Sequence, residues 1–63
     1  MAKFRVGEQI VITQFVKDGI EHAGREGFVE IVESRRRYTV LLYKTDRQPE
    51  STLDVREYNI RKN

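Results

Sequence analysis

Between its glycine and proline breaks, this chain places apolar side chains at every second position, the period of strands that bury one face against a core. The clearest run, Tyr38 to Lys44, sorts Tyr38, Val40 and Leu42 onto one face and Thr39, Leu41 and Tyr43 onto the other. In the segment Gly24 to Glu33, Val29 and Ile31 share a face with Gly27, while Phe28, Glu30 and Val32 share the opposite one. From Val6 to Thr13, a glycine turn leads into a strand with Ile10 and Ile12 together and Val11 pointing the other way. Enrichment in Val, Ile, Phe and Tyr adds to the preference for strand over helix.

The intervening pieces read as turns. Lys17-Asp18-Gly19 has turn chemistry, because Asp-Gly tolerates positive φ, so Phe15 to His22 is expected to form a long loop or a short hairpin over one end of the core. Ser34 to Arg37 is a polar connection, and Thr45 to Glu50, with the lone Pro49, is a loop that interrupts pairing. In the tail, Leu53, Val55, Tyr58 and Ile60 fit a short strand, one helical turn and another short strand. A helix from Thr52 competes, since Ser51 and Asp54 weakly resemble a capping box.

A chain of 63 residues, 38% hydrophobic and 35% charged, supports one domain spanning 1–63 and one thin core. About five short strands in so small a unit predict an all-β domain that curls into a closed or nearly closed barrel, which removes exposed strand edges. A sheet with a helix packed on it is the alternative. There is no cysteine and only one histidine, His22, so neither a disulfide nor a structural zinc site is expected to reinforce the core. The start, Met1 to Arg5, leads into a charged alternating segment, and the longest apolar runs, Ile10 to Ile12 and Val40 to Tyr43, are far too short to cross a bilayer. A cytoplasmic protein with no membrane partner is the expectation.

The order of these pieces resembles SH3-like barrels. The opening Phe-x-Val-Gly-Glu-x-Ile-x-Ile (Phe4 to Ile12), the step Gly-x-x-Gly-x-Val (Gly24 to Val29), the strand Tyr-x-Val-x-Leu (Tyr38 to Leu42) and the closing Leu-x-x-x-x-Tyr-x-Ile (Leu53 to Ile60) carry the resemblance over nearly the whole chain. Within that class it is most similar to the KOW-type domains of ribosomal proteins and transcription elongation factors, and to Tudor-like barrels. The resemblance implies a five-stranded SH3-like barrel with a short helical turn near the C-terminus. It also implies a non-catalytic binding module, with Gly27 as the glycine that precedes the alternating hydrophobics. RNA-contacting KOW domains tend to be basic around this step, whereas this segment carries Glu21, Glu26, Glu30 and Glu33.

Candidate functional residues fall into two sets. Arg35, Arg36 and Arg37, at the tip of the predicted hairpin, put guanidinium groups where local carboxylates cannot neutralise them all, a pattern suited to phosphates. Lys44, Arg47, Arg56, Arg61 and Lys62 extend that set if the barrel brings the hairpin and the tail to one side, and Tyr43 or Phe28 would stack on unpaired bases. The competing reading is a solvated turn that keeps a small sheet soluble. If Ile10, Ile12, Val29, Ile31, Tyr38, Val40 and Leu42 form the core, the second set is the outer face, Val11, Phe28, Val32, Leu41 and Tyr43, an apolar and aromatic surface suited to a protein partner or to self-association unless the loop at 15–22 or the tail covers it. His22, beside a glycine turn and with no nucleophile or triad in view, reads as a surface residue rather than a general base. No enzymatic activity, cofactor, metal or small-molecule substrate is expected, and a nucleic acid and a protein remain the two partner classes.

Overall fold

The structure, a computed structural model, describes residues 2–63. The alternating segments form strands β1 (Gln9–Ile12), β4 (Glu26–Val32), β5 (Arg37–Leu42), β6 (Ser51–Arg56) and β7 (Ile60–Lys62), with β2 (Val16–Lys17) and β3 (Ile20–Glu21) as a separate hairpin. A 3₁₀ turn, η1 (Glu57–Asn59), links β6 to β7. The tail is therefore strand, turn, strand, and no helix begins at Thr52. No helix among the described residues is long and apolar enough to cross a membrane.

The long strands pair antiparallel in the order β6-β5-β4-β1-β7. The domain is thus all-β, and the pairing leaves β6 and β7 as the two edges of one sheet. Of the side chains expected inside from β1, β4 and β5, Ile10, Ile12, Val29, Tyr38, Val40 and Leu42 are buried, joined by Phe4, Leu53, Val55 and Ile60.

One expectation about the faces fails, for a local reason. Val29 pairs with Val40, but the next pairs are Ile31 with Thr39 and Val32 with Tyr38, so an irregularity between Val29 and Ile31 inserts an extra residue in β4. A bulge of that kind reverses parity beyond it. Ile31, assigned to the core, is therefore 49% exposed, and Val32, assigned to the outer face, packs against the core.

The β2–β3 hairpin takes the shorter of the two forms expected for this segment. Asp18 and Gly19 are its only loop residues, with φ of +53° and +78°, the left-handed pair that lets a two-residue turn match the twist of its strands. Val16 and Ile20 remain exposed, while Phe15 and His22 at the base of the hairpin are turned inward, Phe15 packing against the core. Its base is held by Glu21, whose Oε1 accepts hydrogen bonds from the amides of Phe15 (3.1 Å) and Ala23 (2.8 Å).

These bonds favour the ionised form, that from Phe15 most, and lower the Glu21 pKa. A carboxyl depressed in the folded state stabilises it above the unfolded pKa, and that contribution is lost as pH falls through the folded value. Glu21→Gln is therefore expected to lower the melting temperature at neutral pH, with the two melting curves converging as the pH drops below the ordinary carboxylate range. A difference that stays constant down to that acid limit would show that the charge plays no part.

Candidate nucleic-acid interface

The turn between β4 and β5 carries Arg35 and Arg36, with Arg37 opening β5, and the fold brings two other segments against it. The hydroxyl of buried Tyr38 accepts from the amides of Lys3 (3.1 Å) and Phe4 (3.3 Å) and donates to the carbonyl of Arg35 (3.1 Å). The Phe4 ring packs edge-on against the Tyr38 ring, centroids 5.4 Å apart. On the other side, the amide of Glu57 donates to the carbonyl of Arg36 (2.8 Å), joining η1 to the same turn.

The start of η1 is itself fixed by Asn59. This buried side chain accepts from the Arg56 amide (2.8 Å) and donates to the carbonyl of Gln14 (2.7 Å). One interior phenol and one interior amide thus place the amino-terminal segment, the arginine turn and η1 around a common space.

That space is an open cleft of about 480 Å³ lined by Lys3, Arg35, Arg36, Arg56, Glu57 and Tyr58. Four cations face one carboxylate in a chain whose formal net charge is only +2, so positive charge is concentrated here and the remaining surface is close to balanced. A one-sided patch of this kind attracts polyanions, whereas interspersed charge does not. Tyr58 is 78% exposed, the most exposed large apolar side chain among the described residues. Arg56 also lies directly across from Arg37 in the β5–β6 register. Like charges placed so are mutually unfavourable, and a bound anion relieves them.

The residues singled out from the sequence separate. Arg35 and Arg36 line the cleft, but Arg37 does not. Its Nη2 donates to Asp54 Oδ2 at 2.6 Å, and that hydrogen bond raises the Arg37 pKa. Both side chains are about half exposed, so the pair adds little stability, but it partly neutralises Arg37. Tyr43 and Lys44 lie beyond the far end of β5, six and seven residues from Arg37, or roughly 20 Å along a strand. They do not share a surface with the arginine turn. Phe28 sits mid-strand in β4 beside Tyr43, ring centroids 6.1 Å apart.

Of the outer-face set, Val11 is only 8% exposed and half-buried Val32 packs against the core, so neither belongs to an outer strip. Phe28 and Leu41, paired across β4 and β5, are half-buried, and Tyr43 is 39% exposed, its hydroxyl donating to Gln9 Oε1 at 2.9 Å. Neither the β2–β3 hairpin nor the tail lies over this strip: Val16, Ile20 and Tyr58 are exposed, and Val55 belongs to the core.

His22 is buried, not at the surface as its position beside a glycine turn suggested. Its Nδ1 accepts from Arg25 Nη1 at 3.2 Å, and its ring packs against Phe15. Arg25, equally buried, donates to the carbonyls of Tyr43 (3.1 Å) and Pro49 (2.9 Å) and to the Ser51 hydroxyl (3.2 Å). Burial lowers its pKa. This guanidinium is a bracket for the 43–51 loop, and its position in a polar Gly-Arg-Glu-Gly stretch gave no sign of burial.

Three members of the cleft, Lys3, Glu57 and Tyr58, were not foreseen as functional, whereas Arg56 joins the arginine run from the tail as expected. The period-two reading counted Tyr58 among apolar tail residues available for packing, and η1 is what turns it outward. No protein-family model, curated protein or solved structure matches the chain.

Proposed function

We propose that the chain is a small SH3-like barrel acting as a non-catalytic binding module that holds single-stranded nucleic acid in the cleft around Tyr58. The barrel reading is supported by the strand order β6-β5-β4-β1-β7, the hairpin between β1 and β4, and the 3₁₀ turn before the last strand. In this reading Arg35, Arg36, Arg56 and Lys3 contact phosphates and Tyr58 is the stacking platform. The observation that carries it is Tyr58 itself: a chain with few apolar groups leaves this large ring in solvent, among four cations. Exposed aromatics beside basic side chains are how proteins hold unpaired bases along a phosphate backbone.

The test is a titration of labelled single-stranded oligonucleotides at several salt concentrations, read by fluorescence anisotropy. Tyr58→Ala is expected to weaken binding about 5- to 150-fold, the effect of one lost stacking contact. Replacing Arg35, Arg36 and Arg56 together with Ala is expected to flatten the dependence of log K on log salt by about 2, at roughly 0.7 per phosphate contact. These side chains are exposed, so the fold is retained. Absence of binding at low salt would dispose of the proposal.

A protein-interaction reading rests on the half-exposed strip of Phe28, Leu41, Tyr43 and Ile31 on the outer face. Loss of Val11 and Val32 from that strip leaves it smaller than the alternation implied. A complex formed there would be insensitive to salt and broken by Tyr43→Ala.

A further inference from the structure

The cleft contains one group that does not fit a purely phosphate-binding role. Glu57 is half-buried among Lys3, Arg35, Arg36 and Arg56, yet among the described residues its carboxylate takes part in neither an ion pair nor a side-chain hydrogen bond. Its backbone is fixed, since its amide donates to the carbonyl of Arg36. It adjoins Tyr58 in sequence, and both line the same cleft. A carboxylate in this position repels phosphates, so it weakens sequence-independent binding unless it meets donors on the ligand.

Resting on the nucleic-acid reading above, we infer that Glu57 makes the cleft selective for an unpaired guanine. A base stacked on Tyr58 keeps its Watson–Crick edge free for hydrogen bonds. An ionised carboxylate has only acceptors to offer, on two oxygens. Guanine alone among the common bases presents two adjacent donors on that edge, the N1–H and the N2 amino group, which two carboxylate oxygens accept together. Adenine and cytosine place an acceptor ring nitrogen next to their amino group, and thymine and uracil flank their single N–H with two carbonyls, so each turns at least one lone pair toward the carboxylate. The four surrounding cations meet the phosphates on either side, so the same cleft separates affinity from base choice.

The experiment compares a short oligothymidylate carrying one central deoxyguanosine with the same strand carrying thymidine or deoxyinosine there, for the wild-type protein and Glu57→Gln. The guanine strand is expected to bind at least about fivefold more tightly than the thymidine strand, the lower end of what one bidentate base contact discriminates. Inosine, which lacks the N2 amino group, is expected to lose most of that preference. Glu57→Gln, whose amide offers one acceptor and one donor in place of two acceptors, is expected to abolish the preference while leaving thymidine-strand binding equal or tighter.

Equal binding of guanine and thymidine strands by the wild type would overturn the guanine inference and leave the cleft as a general single-strand site. Unchanged preference in Glu57→Gln, with both strands bound more tightly, would assign Glu57 a bulk electrostatic effect only and equally overturn it. Failure of every strand to bind at low salt would remove the underlying function as well.

Discussion

Gly27→Ala is expected to leave the chain largely unfolded at room temperature. Gly27 lies on the inner side of β4 opposite Leu42, and a Cβ built there overlaps the Leu41 carbonyl oxygen and comes within 2.9 Å of Leu42 Cα. Its φ is outside the left-handed region, so the demand is for room and not for an unusual backbone conformation. Because the obstructing atoms are backbone, relief requires β4 and β5 to part, which breaks the ladder that positions Val29, Val40 and Leu42 in the core. Overpacking a well-filled site typically costs about 1–3 kcal/mol when side chains can yield, and more when they cannot. A domain of this size holds only roughly 3–5 kcal/mol in reserve.

The comparison variant is Gly19→Ala. Nothing lies within 4 Å of a Cβ at that position, and the cost there comes from a φ of +78° alone. Gly19→Ala is expected to melt cooperatively with a modest loss, about 1–2 kcal/mol, while Gly27→Ala shows no native transition by circular dichroism. A folded Gly27→Ala protein with near-wild-type stability would mean that β4 and β5 do not approach as described.

Tyr38→Phe is expected to cost about 2 kcal/mol and, on the proposed function, to weaken nucleic-acid binding although the side chain lies outside the cleft. The ring stays in the core, and only the hydroxyl is lost. That hydroxyl accepts from the Lys3 and Phe4 amides and donates to the Arg35 carbonyl. Each buried group left without a partner costs about 1–3 kcal/mol, reduced here because the Lys3 end is only partly buried and water reaches it. For a domain of this length 2 kcal/mol lowers the melting temperature by roughly 8–16 °C.

The effect on binding follows because the same bonds hold Lys3 and Arg35 in place. With them gone, ordering the amino-terminal segment against the arginine turn must be driven by the ligand, and affinity falls by that cost. Thermal melting and anisotropy on one preparation separate the two effects. A variant that loses stability but binds as well as wild type would show that the cleft does not depend on this tie.

The parts of the fold legible in the sequence are those governed by a single strand's own pattern. Tyr38, Val40 and Leu42 alternate without interruption, and all are fully buried; Asp18-Gly19 dictates its turn whatever surrounds it. Ile31 and Val32 were misassigned because parity depends on every residue being in register, and the bulge after Val29 arises from pairing with β5, which no count along β4 detects.

The candidate site was half legible for a related reason. A run of arginines announces itself, but which of them keeps its charge free depends on β6 bringing Asp54 beside Arg37. Tyr43, Phe28 and Lys44 were grouped with the run by residue type, whereas strand length sets them apart. Lys3 is far along the chain from Tyr58, and it is the Tyr38 hydroxyl on one side and η1 on the other that bring them to the arginine turn.

The most direct test of the proposed binding site is a ¹H–¹⁵N shift titration of the protein with a short single-stranded oligonucleotide at low salt. Binding in the cleft predicts the largest changes at Lys3, Arg35, Arg36, Arg56, Glu57 and Tyr58, with the Val16–Glu21 hairpin and the Thr45–Gln48 segment unmoved. Changes centred on Phe28, Leu41 and Tyr43, or a spectrum that does not change at all, would contradict it.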